Sequence, residues 1–317
     1  MTDPHISTGQ GSPEPILEAC ETGRQSEDVA LVANNLNALL QSNSYRLAHE
    51  DQELLNSNDM RGVRMLLEIS KPEMVLEDQS IASTILVFGG ACLVEKVAAE
   101  RQLAMAQQRL DQAPTDKTLK RQVERCKHLV RLAPFYEAAR EFAHLASCGQ
   151  KDGEGCRHVI ATGGGPGIME AANRGAFDAG FKSIGFNISL PHEQSPNPFV
   201  TPELCFRFNY FALRKFHFVM RAVGAVFFPG GFGTLDELFE VLTLCQTGIK
   251  GPIPIVLFGR DYWHKVINFQ ALADAGLIAD DHLDLVRFAD TATETWELIR
   301  GSERFSSCPT SQERSLI

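Results

Sequence analysis

Pro229-Gly230-Gly231-Phe232-Gly233-Thr234-Leu235-Asp236-Glu237 follows the apolar run Ala225-Val226-Phe227-Phe228 and opens directly onto an amphipathic segment. A strand, a glycine loop and a helix start therefore fall in one short window. The glycines let the backbone approach a ligand closely, and the free N–H groups of the new helix point at whatever the loop holds. The expected product is a phosphate cradle with Gly230, Gly231, Gly233 and Thr234 as its contacts. Glu237 is expected in the first helical turn, where the helix dipole tolerates an acid and where it lies beside the bound group rather than under it.

The geometry repeats upstream at Gly163-Gly164-Gly165-Pro166-Gly167, after the strand-like His158-Val159-Ile160-Ala161-Thr162 and before Ile168-Met169-Glu170. Two such loops suggest two walls of one site, with Gly164 and Gly165 as further phosphate contacts. The same glycines are also what a tight strand-to-helix turn requires. Neither loop is followed by Gly-Lys-Ser/Thr, and neither has the spaced dinucleotide fingerprint with an acid about 20 residues on, so an ordinary ATPase or dehydrogenase is disfavoured.

Outward from these loops the chain alternates short apolar runs with helical patterns: strand 84–88, strand 157–162, helix 167–180, strand 182–187, helix 209–221, strand 224–228, helix 234–247, strand 253–257 and helix 261–274. This implies an α/β fold, a Rossmann-like doubly wound parallel sheet with ligand loops at the carboxyl ends of the strands. Thr84-Ile85-Leu86-Val87-Phe88, running into Gly89-Gly90, reads as the first buried strand. An inserted helical hairpin over 95–133 follows, with Ala99, Leu103, Ala106 and Leu110 on one arm and Leu119, Val123, Cys126 and Val130 on the other. Its nine Lys/Arg against five Asp/Glu read as a solvated outer face. Another helix resumes after Pro134. Ahead of the main domain, 84–301, residues 28–83 form a helical extension whose second stripe, through Val63, Leu66 and Leu67, should end before Pro72. Residues 1–27 and 302–317 read as loose tails. The stretch 190–201, with three prolines, is a candidate lid or pocket wall.

A net charge of −10 over 317 residues argues against nucleic acid or an anionic membrane as the main partner. The eight cysteines form no C-x-x-C pair and do not cluster with histidines, so neither a zinc site nor a redox dithiol is signalled, and reduced thiols in a cytoplasm are expected. His192 and His217 have no metal-ligand spacing. Met1-Thr2-Asp3-Pro4 shows no signal-peptide character. Glu170, Asn187, Glu193 and Gln194 are candidates to hold ribose hydroxyls or the base, although each also suits a cap or turn. Phe208 and Phe211 could stack on a purine or simply belong to the core.

The run Pro229 to Glu237 matches the Pro-Gly-Gly-x-Gly-Thr-x-x-Glu signature of the Lonely Guy (LOG) family of nucleotide phosphoribohydrolases, long mislabelled as lysine decarboxylases. Asn209-Tyr210-Phe211-Ala212-Leu213-Arg214-Lys215 resembles the family's Arg-Lys motif, without the Met-His that often begins it in short plant-type members. The chain's length and the stretch 190–197 resemble the longer bacterial branch. The resemblance, over roughly 84–300, implies that Arg214 and Glu237 are the catalytic pair, with Lys215 structural or facing the substrate. It implies cleavage of a purine nucleoside 5′-monophosphate, AMP or a cytokinin riboside 5′-monophosphate, into free base and ribose 5-phosphate, with no cofactor. It also implies a homo-oligomer, since family members build the pocket across a two-fold interface. The competing reading is a non-catalytic carrier or sensor of a nucleotide or of molybdenum cofactor, which needs the cradle but no paired acid.

Overall fold

The structure is a computed structural model that describes residues 26–149, 158–190, 195–302 and 305. The tails expected at 1–27 and 302–317 lie outside the described residues save for 26, 27, 302 and 305. The chain divides into two units, Met1–Arg64 and Met65–Ile317. The described part of the first holds helices α1 (Ser26–Leu40) and α2 (Gln52–Asn56) and the start of α3 (Arg61–Asp78). Asp51 caps α2 by accepting from the Leu54 N–H at 3.1 Å, and the Arg64 guanidinium closes the following turn by donating to the carbonyls of Leu55 and Ser57.

The second unit carries strands β1 (Ser83–Phe88), β2 (His158–Thr162), β3 (Ser183–Ile188), β4 (Cys205–Phe208), β5 (Ala222–Phe227), β6 (Ile255–Phe258) and β7 (Val286–Ala289). Its helices are α4 (Lys96–Gln112), α5 (Lys117–Leu132), α6 (Pro134–Cys148), α7 (Ile168–Asp178), α8 (Phe211–Met220), α9 (Phe232–Gln246), α10 (Arg260–Val266), α11 (Phe269–Asp274) and α12 (Ala292–Arg300). The strands form one sheet in the order β4-β3-β2-β1-β5-β6-β7, every neighbouring pair parallel. This is the doubly wound sheet that the alternation of elements predicts. From β1 the chain winds one way to β4, then returns to lay β5 on the other side of β1, so strand order reverses between β1 and β5. At such a reversal the crossover loops diverge to opposite faces and leave a crevice at the carboxyl ends of the strands.

Burial on both faces explains the unbroken apolar strands. In β1, Ile85 and Val87 join the core beneath α6, α7 and α12, while Leu86 and Phe88 join the core beneath α3, α8, α9 and α10. The hairpin insert closes on its own small core of Ala106, Val123 and Cys126, backed by Leu103 and Leu110. No helix among the described residues is long and apolar enough to cross a membrane.

Five features depart from the sequence expectations. Strands β4 and β7 and helix α12 were not anticipated. Both strands are edge strands of four residues whose exposed arginines, Arg207 and Arg287, interrupt the apolar signal. The helix expected over 261–274 is broken at Ile267-Asn268, where Asn268 caps α11 through the Ala271 N–H at 3.1 Å. Finally, α3 does not stop before Pro72 but runs through it to Asp78. A proline lacks the N–H that would bond the carbonyl four residues back, here that of Glu68. That carbonyl instead accepts from Nε2 of His217 on α8 at 3.0 Å, so tertiary packing supplies the missing donor.

Candidate active site

The crevice at the β1/β5 reversal has a volume of about 230 Å³ and is lined by three loops: Phe88 to Ala91 after β1, Gly163 and Met169 around the loop after β2, and Gly231, Gly233 and Thr234 after β5, with Arg214 and Glu237 on its floor. The loop after β5 leads into α9, whose N-cap residue, Gly231, has no side chain to occupy the first N–H groups of the helix. Those donors and the positive end of the helix dipole are left for an anion. The loop is pinned from behind. Tyr262 donates its hydroxyl proton to the Gly230 carbonyl at 2.5 Å, and the Gly90 N–H donates to the Pro229 carbonyl at 2.9 Å. A Cβ on Gly230 would collide with the Thr234 side chain, so glycine is required for the loop to fold back on its own helix.

The wall after β2 is held by Asn197. Its backbone N–H donates to the Gly164 carbonyl and its side-chain amide to the Gly165 carbonyl, each at 2.9 Å. The 195–201 part of the proline-rich stretch thus braces the loop. Gly164 and Gly167 have φ of +68° and +76°. A Cβ on Gly167 would strike the Gly90 carbonyl oxygen and lie 2.7 Å from the Ala91 carbonyl carbon, so the first two glycine loops touch backbone to backbone there. Gly167→Ala should therefore destabilise the protein by about 2 kcal/mol or more. In a thermal melt this lowers the midpoint by roughly 4–8 °C. Gly231→Ala, whose Cβ meets nothing within 4 Å, is the control and should melt like the wild type.

Arg214 and Glu237 approach from α8 and α9. Their side chains are each 11% exposed, and Arg214 Nη1 stands 3.9 Å from Glu237 Oε1, an ion pair longer than a hydrogen bond. The guanidinium is fixed on its other sides: Nε donates to the Phe186 carbonyl at 2.7 Å, Cζ lies 5.0 Å above the Phe218 ring, and Nη2 abuts Gly163 so closely that a Cβ there could not fit. Burial pushes the Glu237 carboxyl up to about 7, assisted by Asp236 and opposed by Arg214. Burial likewise lowers Arg214, against the pull of Glu237. Glu237 is the sixth residue of α9 and sits in its second turn, not the first as the sequence suggested, because the helix begins at Phe232. The carboxyl lies on the buried floor of the crevice.

The remaining candidates fall elsewhere. Lys215 points across to α9 and pairs with Asp236 at 3.0 Å and Glu240 at 3.5 Å. Glu170 accepts the Tyr136 hydroxyl at 2.8 Å, and Asn187 accepts from the Ile188 N–H at 2.8 Å. None of these three lines the crevice, and Glu193 and Gln194 lie outside the described residues. Phe208 is core, whereas Phe211 is half exposed. Sequence reasoning left out the Gly89 to Ala91 wall, signalled only by the Gly89-Gly90 pair, together with Met169 and Tyr262, for which it offers no signal.

A doubly wound parallel sheet whose glycine loops meet at the strand reversal, over a buried arginine and glutamate, defines an α/β protein with a crevice at the carboxyl ends of its strands. A family model described as "Possible lysine decarboxylase" matches residues 169–299. The chain is similar to the cytokinin riboside 5′-monophosphate phosphoribohydrolase LOG4 of Arabidopsis thaliana, 29% identical over 155 residues, which cover 47% of this chain and 68% of that protein. It is also similar to the cytokinin riboside 5′-monophosphate phosphoribohydrolase LOG of Oryza sativa subsp. japonica, 30% identical over 140 residues, 43% of this chain and 56% of that one. A solved structure of the Moco carrier protein from Chlamydomonas reinhardtii aligns over 69% of this chain and 99% of its own at 18% identity, with a TM-score of 0.37, too distant to weigh on function. Over these stretches the chain is similar to LOG phosphoribohydrolases.

Proposed function

We propose that this protein hydrolyses the N-glycosidic bond of a purine nucleoside 5′-monophosphate, AMP or a cytokinin riboside 5′-monophosphate, releasing the free base and ribose 5-phosphate. The observation that carries this reading is the buried Arg214–Glu237 pair placed beside an uncapped helix N-terminus in one crevice. The phosphate lies against Gly231, Gly233 and Thr234. The sugar then extends toward the second turn of α9 and meets Glu237.

Breaking the C1′–N bond sends its electron pair to the base and leaves an oxocarbenium-like sugar. A carboxylate next to that cation stabilises it, and the same carboxylate can accept the proton of the water that adds to C1′. A carboxyl titrating near 7 suits both duties, because about half of it is ionised at neutral pH and it is basic enough to take a proton. The Arg214 guanidinium, held on its far side by the Phe186 carbonyl, directs its remaining N–H groups toward the phosphate or a sugar hydroxyl and favours the charged form of Glu237 against the effect of burial.

The test is a panel of nucleoside 5′-monophosphates and their parent nucleosides, with release of free base followed by chromatography. AMP should be cleaved at least tens of times faster than adenosine, because the binding energy of the remote phosphate orients the reacting centre. Equal rates on AMP and adenosine would remove the basis for the site. Tight AMP binding without cleavage of any nucleotide would instead favour a carrier.

A further inference from the structure

Helix α8, which carries Arg214, is gripped along its length by α3, a helix outside the stretch matched by the family model. At the start of α8 the N-cap residue, Tyr210, offers no side-chain cap. The Glu68 carboxylate takes that place, accepting the Asn209 N–H at 2.9 Å through Oε1 and the Tyr210 N–H at 3.2 Å through Oε2. One turn beyond Arg214, His217 donates from Nε2 to the Glu68 carbonyl that Pro72 leaves unpartnered, and its Nδ1 faces Glu73 Oε1 at 3.4 Å. At the end of the helix, Arg221 donates to Glu73 Oε2 at 2.6 Å and to the Ile81 carbonyl at 2.9 Å.

Arg214, His217 and Arg221 are spaced i, i+3 and i+7 and so share one face of α8. The grip spans about 16 Å of helix, with Arg214 inside it. Docking of α3 does not require these charges, since Leu76, with Met65, Ile69 and Val75, already packs it into the core. Buried ion pairs add little stability over apolar packing, but their directional bonds can fix register. A helix held only by apolar contacts can rotate or slide, and a shift of about 1 Å at a catalytic group can cost on the order of a hundredfold in rate.

We propose that Glu68 and Glu73 of α3 are positioning residues that set the height and rotation of α8 and thereby hold the Arg214 guanidinium at Glu237. This rests on the phosphoribohydrolase reading only where rates are concerned. The test uses Glu73→Gln and Glu68→Gln in the full chain, with AMP as substrate and with the Glu237 carboxyl titrated by carbon-13 NMR. The charged groups facing Glu237 are Arg214 and Lys215 from α8 and Asp236 on its own helix. If α8 shifts, Glu237 loses the attraction of Arg214 and its titration midpoint must rise.

The expected result for Glu73→Gln is a kcat lowered about 10- to 100-fold. KM should stay within about threefold of the wild type, because the N–H donors that meet the phosphate belong to the start of α9 and not to α8. The Glu237 midpoint and the acid limb of the activity profile should move up together. Glu68→Gln, which keeps one acceptor, should do the same more weakly, and it carries the test if Glu73→Gln fails to fold. Folded variants with wild-type kcat and an unmoved Glu237 midpoint would overturn the proposal, as would a rate loss that follows the melting temperature while the midpoint stays put. A wild type that cleaves no nucleotide would sink the proposed function but not this test, because the NMR midpoint still reports whether α3 holds Arg214 in place.

Discussion

Glu237→Gln will hold AMP about as tightly as the wild type and turn it over about two to four orders of magnitude more slowly. The amide keeps the size of the side chain, and the glycine cradle still holds the phosphate, so ground-state binding is spared. What is lost is the charge opposite the developing oxocarbenium ion and the acceptor for the water proton. In the wild type, kcat/KM should rise with pH through about 7, following ionisation of Glu237 in the free protein. The residual activity of the variant should lack that limb.

The same carboxyl makes a prediction about stability. Its folded value of about 7 lies above its ordinary 4.5, so folding favours the protonated form. This stabilising contribution is complete below about pH 4.5 and is lost as pH rises through 7; by pH 8 the buried charge costs about 3 kcal/mol. Glu237→Gln removes that dependence. Relative to the wild type, the variant should gain about this much stability between pH 4.5 and pH 8 in urea titrations. A parallel pH dependence in the two proteins would show that Glu237 is not the buried acid described here.

Arg214→Ala should lower turnover on AMP by about a hundredfold or more, with a smaller loss of affinity. Removing the guanidinium leaves the Glu237 carboxylate buried without its attractive partner, so the acid limb of the activity profile should also move to higher pH. Arg214→Lys should recover little. An ammonium is a point charge that cannot bond the Phe186 carbonyl and offer a planar fork to the crevice at once. Wild-type hydrolysis of AMP by both the Arg214→Ala and Glu237→Gln proteins would place the activity elsewhere in the molecule.

The parts of this molecule that are legible in its sequence are those whose cause is local. Strands β1, β2, β3, β5 and β6 announce themselves because two-sided burial demands an apolar run, and the loop after β5 does so because its glycines are consecutive. Strands β4 and β7 do not, since an edge strand of four residues with one exposed arginine carries too short a pattern to read. Within the site, chain topology lets Arg214 reach the crevice of Glu237, but their pairing came from family resemblance. Spacing along the chain does not by itself set two helices side by side on one face of a sheet. The grip of α3 on α8 was hidden for the same reason, and its one local trace, Pro72, reads as a helix stop until the donor that replaces its missing N–H is seen. Glu237 was assigned to the wrong turn because Phe232 and Gly233, poor helix formers by propensity, are helical here.

The central place of β1 also bears on how the protein is made. Its register partners are His158 to Ala161 on one side and Ala222 to Phe227 on the other, so one edge of a fully buried strand waits for residues synthesised 134 positions after Phe88. At roughly 5–20 residues per second, that edge stays open on the ribosome for roughly 7 to 27 s. Until β5 arrives, the nascent chain presents unpaired backbone donors and acceptors beside Ile85, Leu86 and Val87, a template for pairing with a neighbouring chain. The strand reversal that opens the crevice in the finished protein thus makes its assembly a late, all-at-once event, and one that a chaperone able to cover a bare strand edge would assist.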